Sequence, residues 1–160
     1  MRGLERPLGG LLAEAVLGLL ASRAVVPTLD APVLLVPVPS RPAAVRSRGR
    51  DTTAALVRPA TDGAQVVLAP LLRLRGGVAD QAGLDRSARA ANLEGSMHCP
   101  ARGLARLARR RPQVAGVVVC DDVVTTGATL VEAQRALSAV GLPVLGAAVV
   151  AATVRRAPPS

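Results

Sequence analysis

Two adjacent acids and a threonine-rich turn are the residues of this sequence best suited to chemistry. Asp121 and Asp122 follow the apolar run at 116–120, and Thr-Thr-Gly-Ala-Thr occupies positions 125–129. In an open α/β sheet, ligands bind beyond the carboxyl ends of the strands. The unsatisfied amides at the start of the next helix bind anions, while carboxylates accept hydrogen bonds from hydroxyls. The pattern therefore predicts a site for a sugar phosphate such as ribose 5-phosphate.

A plainer interpretation is that the threonines only cap a helix and that the two acids lie in a solvated turn. Other phosphate-binding patterns are missing from the sequence. There is no G-x-x-x-x-G-K-[ST] motif, because the chain has no lysine, and no G-x-G-x-x-G follows a predicted strand. A phosphoacceptor domain would need further acids on an earlier strand and usually a lysine. The sugar phosphate site is thus the interpretation that uses the whole pattern.

Composition leaves several classes of partner open. The formal charge is +9 and all 20 basic residues are arginines, whose planar donor fork suits phosphates and carboxylates. Nucleic acid, a membrane surface and a polyanionic small molecule all remain candidates. The absence of Phe, Tyr and Trp removes the stacking platform of single-strand binders. Two cysteines form neither a disulfide framework nor a zinc pattern.

Alternating strand and helix patterns predict a single-domain α/β fold. We expect a mostly parallel central sheet flanked by helices, with a flexible loop in the glycine-rich stretch at 75–80. Short apolar runs predict strands at 33–38, 66–68, 71–74, 116–120 and 144–154. Helical spacing predicts one helix that starts at 51 or 52 and runs to about 59. It predicts three more at 84–93, 101–111 and 128–140.

The N-terminal stretch predicts an amphipathic helix. Its proposed apolar face consists of Leu4, Leu8, Leu11, Leu12, Ala15, Val16 and Leu19. A secretion signal is the alternative, but Glu14 interrupts the apolar run. No uncharged apolar stretch reaches 18 residues, so we expect no membrane association and a cytoplasmic location.

Beyond its chemistry, the run at 117–129 resembles the phosphoribosyl-pyrophosphate motif of type I phosphoribosyltransferases. Further motifs resemble the ComF-type (competence protein F-like) branch of that family. These are Pro-Val-Pro at 37–39, Arg-Ser-Arg-Gly at 46–49, Arg-Leu-Arg at 73–75, Gln-Ala-Gly-Leu at 81–84 and Arg-Ala-Ala-Asn at 89–92. The resemblance spans about residues 33–154. It divides the single domain into an N-terminal helix or hood at 1–30, a core at 33–154 and a tail at 155–160.

The resemblance implies a role for each matching residue. Asp121 and Asp122 would act in catalysis, holding the ribose hydroxyls and Mg²⁺ directly or through water. The 5-phosphate would be bound by Val124, Thr125, Thr126, Gly127, Ala128 and Thr129. The leaving pyrophosphate would be bound by Ser40, Arg41, Arg46 and Arg48, with Arg48 counted as catalytic. The glycine-rich segment, flanked by Arg73, Arg75 and Gln81, would close over the ligand.

The implied activity is the transfer of ribosyl 5-phosphate from phosphoribosyl pyrophosphate to a nucleobase-like acceptor, with Mg²⁺ as cofactor. Two alternatives stay open: a regulatory protein that binds the ligand without transfer, and an accessory factor in DNA uptake. The second would have single-stranded DNA or the competence machinery as a weak partner. The identity of the acceptor and the oligomeric state stay open, with a homodimer as a candidate.

Overall fold

The computed structural model describes residues 5–40, 52–61, 65–75 and 95–153. The elements within these ranges, labelled in chain order, are α1 (Glu5–Ser22), β1 (Val33–Pro37), α2 (Thr52–Val57), a 3-10 helix (Arg58–Thr61), β2 (Val66–Leu68), β3 (Arg73–Leu74), β4 (Met97–His98), α3 (Ala101–Arg110), β5 (Gly116–Val124), α4 (Ala128–Ser138) and β6 (Val144–Ala152). The helix predicted at 84–93 and most of the glycine-rich stretch lie outside the described residues.

Four strands form a parallel sheet in the order β2-β1-β5-β6. This confirms the predicted α/β fold with a parallel sheet flanked by helices. All five residues of β1 are buried, as expected for a central strand whose two faces are both covered. A separate two-stranded antiparallel ribbon is formed by β3 and β4.

The two faces of the sheet are covered by different elements. Along β1, Leu34 and Val36 pack against α4 and the ribbon, while Val33 and Leu35 pack against α1 and α2. Successive side chains of a strand point to opposite faces, so one apolar run supplies both halves of the core. Small Val, Leu and Ala side chains fill both halves because the sequence contains no aromatic residue.

The predicted apolar face of α1 is confirmed in part. Leu12 and Val16 are buried and Leu8 and Leu19 are half-buried, whereas Leu11 is 54% exposed and Ala15 is also exposed. Leu20, which the prediction left out, is buried. Gly9, on the same helix, is buried next to α2 and the 3-10 helix. Leu4 lies outside the described residues.

Strand and helix lengths also differ from the prediction in places. The third predicted strand, at 71–74, is reduced to β3, and α4 ends two residues before the predicted Val140. The basic helix α3 ends at Arg110, before Pro112, close to the predicted position. Among the helices that the structure describes, none combines the length and the apolar character that a membrane crossing requires.

Adjacent glycines of α1 provide a test of this packing. A Cβ atom on Gly9 would lie 2.8 Å from Pro59 Cβ and 3.0 Å from the Leu56 carbonyl oxygen. Gly9→Ala should therefore lower the free energy of unfolding by about 1–3 kcal/mol. Gly10 has no atom within 4 Å of its Cβ position, so Gly10→Ala should raise it by about 0.5–1 kcal/mol through helix propensity.

Urea unfolding followed by circular dichroism at the helical band measures both variants. Equal effects of the two substitutions would contradict the contact between α1 and the 3-10 helix.

Candidate functional site

The parallel register brings the carboxyl ends of β1 and β5 to the same edge of the sheet. Pro37 pairs with Cys120, and the Val38 amide donates to the Cys120 carbonyl oxygen at 2.8 Å. Ser40, two residues further along, therefore follows β1 at the edge where Asp121 follows Cys120. The other residues predicted for this loop, Arg41, Arg46 and Arg48, lie outside the described part of the chain.

The two acids belong to β5 and do not form the turn that the sequence predicted. Asp121 pairs with Val149, and the strand continues to Val124, which pairs with Ala152. The apolar run stops at Cys120, so the sequence pattern ended the strand too early. Pairing with β6 supplies the hydrogen bonds that carry the strand past the charged residues.

Burial changes the acidity of Asp121. Loss of solvent raises the pKa of its carboxyl to about 6, and the negative charge of neighbouring Asp122 adds to the rise. The Asp122 amide donates to Asp121 Oδ1 at 2.9 Å, which opposes the increase in pKa. The Val123 amide donates in turn to Asp122 Oδ1 at 2.8 Å. The ionised form of Asp121 is thus less stable than that of a fully solvated aspartate, and a cation or a hydroxyl donor would stabilise it.

The turn between β5 and α4, consisting of Thr125, Thr126 and Gly127, exposes its backbone at the start of the helix. Gly127 is the N-cap residue in a left-handed conformation, with φ of 77°. A Cβ atom there would meet nothing within 4 Å, so the space above the turn is open. The side chains of Thr125 and Thr126 are exposed and Thr129 is half-buried. This β5–α4 turn offers hydroxyls, amides and room for a ligand.

The simple helix-cap interpretation finds little support in this geometry. No side-chain hydrogen bond caps α4 at its N-cap residue. The nearest substitute is the Ala128 amide, which donates to Thr126 Oγ1 over 3.4 Å, a long distance for such a bond. The first turn of α4 therefore keeps amides for an anion, favoured by the positive end of the helix dipole.

The β3–β4 ribbon carries two of the predicted arginines. The guanidinium of Arg73 donates to the carbonyl oxygens of Pro70 at 3.0 Å and Leu72 at 2.8 Å. Arg75 has an exposed side chain, and its amide donates to the Ser96 carbonyl oxygen at 2.8 Å. Gln81, the third residue predicted for this region, lies outside the described residues.

A buried carboxylate on α4 was not predicted from the sequence. Glu132 is 4% exposed and accepts two hydrogen bonds from Arg135, at 2.7 and 2.8 Å, and one from the Met97 amide at 2.9 Å. Hydrogen bonds from the Arg135 side chain hold the pKa of Glu132 below its usual value. A Glu and an Arg three residues apart are ordinary on an exposed helix face, so the only available signal was ambiguous.

The two aspartates suit Mg²⁺ in type and number. Mg²⁺ takes oxygen ligands, is held by one or two protein carboxylates, and completes its shell with water and substrate phosphates. Each aspartate uses one oxygen, Oδ1, for a backbone amide. No group of three His, Cys, Asp or Glu side chains forms a metal site within the described residues. A cation here would therefore depend on ligand oxygens and water for the rest of its shell.

Comparison with known families agrees with this geometry. The family model for the phosphoribosyl transferase domain matches residues 55–160, which include β5, the β5–α4 turn and α4. The chain belongs to this family. Phosphoribosyltransferases are transferases, so the family supports the transferase class for the protein. No curated protein matches the chain.

The raised pKa of Asp121 predicts a pH-dependent stability without Mg²⁺. Asp121 is neutral in both states below its unfolded pKa of 3.8, and it resists ionisation in the folded state up to about 6. Stability is thus lost as the pH rises through this window. Asp121→Asn should raise the free energy of unfolding by about 1–2 kcal/mol near pH 7, after discounting for partial exposure, and by less near pH 4.

Urea unfolding of both proteins across this pH range measures the difference. Asp30→Asn, at an exposed carboxylate, controls for the loss of one formal charge. A difference that stays constant with pH would contradict the desolvated state of Asp121.

Proposed function

We propose that the protein binds Mg²⁺–phosphoribosyl pyrophosphate and transfers its ribosyl 5-phosphate to a nucleobase-like acceptor. The observation that carries the proposal is the pairing, at one sheet edge, of two acids with an uncapped helix start at an open left-handed glycine. Carboxylates that accept hydrogen bonds from hydroxyls then lie before one short turn, and amides that donate to a phosphate lie after it. Phosphoribosyl pyrophosphate has the hydroxyls and the phosphate in that order.

In the proposed complex the 5-phosphate lies over the β5–α4 turn. Amides from Thr125 to Thr129 donate to its oxygens, and the threonine hydroxyls add further donors. The open space at Gly127 admits the phosphate close to the backbone. Val124 and Ala128 contribute main-chain groups only.

Asp121 and Asp122 hold the ribose hydroxyls and, directly or through water, Mg²⁺. Bound Mg²⁺ would supply positive charge to the pyrophosphate oxygens as they accumulate negative charge. A cation or a hydroxyl donor also favours the ionised form of Asp121, which the free protein disfavours. Ligand binding would therefore relieve an electrostatic strain that exists before binding.

The transfer forms one bond and breaks another at the anomeric carbon. A nitrogen of the acceptor bonds to that carbon as the carbon–oxygen bond to pyrophosphate breaks, and pyrophosphate leaves with the bonding electrons. Fixed cations help most where this charge develops. We assign this role to the arginines at 41, 46, 48, 73 and 75, with Ser40 and Gln81 as neutral hydrogen-bond donors.

We assign the protein to the ComF-type branch on its ordered motifs. The Pro-Val-Pro motif lies at the carboxyl end of β1, at the same edge as the two acids. The Arg-Leu-Arg motif coincides with β3 and the residue that follows it. Both positions suit contacts with a ligand that extends from the β5–α4 turn.

A second candidate function is single-stranded DNA binding by an accessory protein of DNA uptake, with or without transfer activity. Arg102, Arg106 and Arg109 are exposed on α3 at a spacing that places them along one face. The net charge of +9 favours any polyanion. Fluorescence anisotropy with labelled single-stranded DNA at low salt tests this function, and no binding there would exclude it.

Titration calorimetry tests the principal proposal. The wild type should release or take up heat on addition of Mg²⁺–phosphoribosyl pyrophosphate, and Asp121→Asn with Asp122→Asn should lower the affinity at least tenfold, on the order of 1.5–3 kcal/mol for a lost charge-assisted contact. Pyrophosphate release with a panel of nucleobases distinguishes transfer from binding alone. Unchanged affinity in the double variant would refute the role of the two acids.

Two glycines with the same backbone angle provide a matched test of the phosphate position. Gly127 and Gly141 both have φ of 77°, and neither has an atom within 4 Å of its Cβ position. Gly127→Ala and Gly141→Ala should therefore lose similar stability, about 1–2 kcal/mol each. Only Gly127→Ala should weaken binding of ribose 5-phosphate in calorimetry, since its Cβ would occupy the ligand space. Equal affinities in the two variants would move the phosphate elsewhere.

A further inference from the structure

Glu132 and Arg135 join α4 to the β3–β4 ribbon through both polar groups of one ribbon residue. The Met97 amide donates to Glu132 Oε1 at 2.9 Å, and Arg135 Nη2 donates to the Met97 carbonyl oxygen at 3.0 Å. Arg135 also donates to both oxygens of Glu132. Each charged side chain therefore fixes the other, and together they fix the main chain of β4 against the helix.

The direction of the ribbon along α4 places one of its ends near the β5–α4 turn. Glu132 contacts Met97, whereas one turn further along α4 the Ala136 carbonyl oxygen accepts from Cys99 Sγ at 3.7 Å. Residues before Met97 thus lie towards the N-terminus of α4. Glu132 is five residues after Gly127, about 7.5 Å along the helix axis.

Arg75 directly follows β3, at this same end of the ribbon. Its amide donates to the carbonyl oxygen of Ser96, the residue before Met97. Its side chain is exposed. The position of Arg75 relative to the β5–α4 turn thus depends on the bonds between Met97, Glu132 and Arg135, together with the apolar packing of Leu72 and Met97 against α4.

We propose that Glu132 and Arg135 are positioning residues. They hold Arg75 at the position along α4 from which it contacts the pyrophosphate of phosphoribosyl pyrophosphate. The inference rests on the proposed function. Neither residue touches the ligand. They act through the ribbon, and their effect is confined to ligands that extend beyond the 5-phosphate.

The chemistry of the pair agrees with a positioning role. The Glu132 side chain is buried but that of Arg135 is 42% exposed, so solvent screens the attraction and the ion pair itself adds little net stability. An apolar residue in place of Glu132 could pack against Met97 but could not accept from its amide. Charge-assisted bonds tolerate only a narrow range of geometry, and a displacement of about 1 Å at a binding group can cost up to about a hundredfold in rate.

The experiment compares two ligands on the full-length protein. Calorimetry measures the affinity of Mg²⁺–phosphoribosyl pyrophosphate, whose pyrophosphate would reach Arg75, and of ribose 5-phosphate, which lacks the pyrophosphate. Glu132→Gln keeps the shape of the side chain and removes the charge. This substitution should lower the affinity for Mg²⁺–phosphoribosyl pyrophosphate roughly tenfold and leave the affinity for ribose 5-phosphate within about twofold of the wild type. Arg75→Ala should give the same split.

A double variant shows whether Glu132 acts through Arg75. If it does, Glu132→Gln added to Arg75→Ala should cause little further loss, because the contact is already absent. Glu14→Gln, the same change at an exposed glutamate of α1, is the matched control and should affect neither ligand. Hydrogen exchange without ligand should show faster exchange of the Met97 amide in Glu132→Gln, with the rest of the sheet unchanged.

The outcomes separate the two proposals. If Glu132→Gln lowered the affinity for both ligands equally, Glu132 would have a general structural role, and the positioning role would be overturned. Full additivity with Arg75→Ala, or unchanged affinity for both ligands, would overturn it as well. A wild type that binds neither ligand would instead refute the proposed function itself, and the positioning role with it.

Discussion

β5 is hydrogen-bonded to β1 on one side and to β6 on the other, and both neighbours run parallel to it. This arrangement requires the carboxyl ends of the three strands to meet at one edge. The end of β1, the two acids of β5 and the start of α4 are thereby brought together. The candidate site is a product of strand pairing, and its polar residues are placed by the apolar ones behind them.

The same pairing accounts for the electrostatics of Asp121. Because β5 continues past Cys120, the Asp121 carboxyl is drawn into the partly buried region between strand and helix. The ionised form of this carboxyl then has a higher free energy in the protein than it would have in water. A site that keeps a carboxylate partly desolvated is suited to a cationic or hydroxylic ligand, since binding compensates for the solvent that folding removed. The family of the chain and the geometry of the β5–α4 turn agree with such a ligand.

The ribbon shows a second way in which the fold places a functional group. The core contains no aromatic side chain, so small aliphatic residues pack the sheet against α1 and α4. Such packing has little directional preference. The hydrogen bonds of Glu132 and Arg135 to Met97 add directional contacts to this packing where the ribbon lies against α4.

Local patterns in the sequence determined the class of the fold and the identity of the principal motif. Apolar runs bounded by proline and glycine predicted most of the strands because burial on both faces requires continuous apolar residues. The acids at 121 and 122 and the threonines at 125, 126 and 129 predicted the sugar phosphate site, because they lie within one short strand–turn–helix segment. The resemblance to phosphoribosyltransferases followed from the same run, and the family model agrees.

Only the tertiary structure decided the features that depend on distant partners. The length of β5 came from pairing with β6, and the close approach of α1 to the 3-10 helix came from the contact of Gly9 with Pro59. The role of Glu132 came from an amide 35 residues away in the chain. In each case the sequence near the residue was compatible with more than one arrangement. The free energy that selected among them lies in long-range hydrogen bonds and close packing, which no local pattern contains.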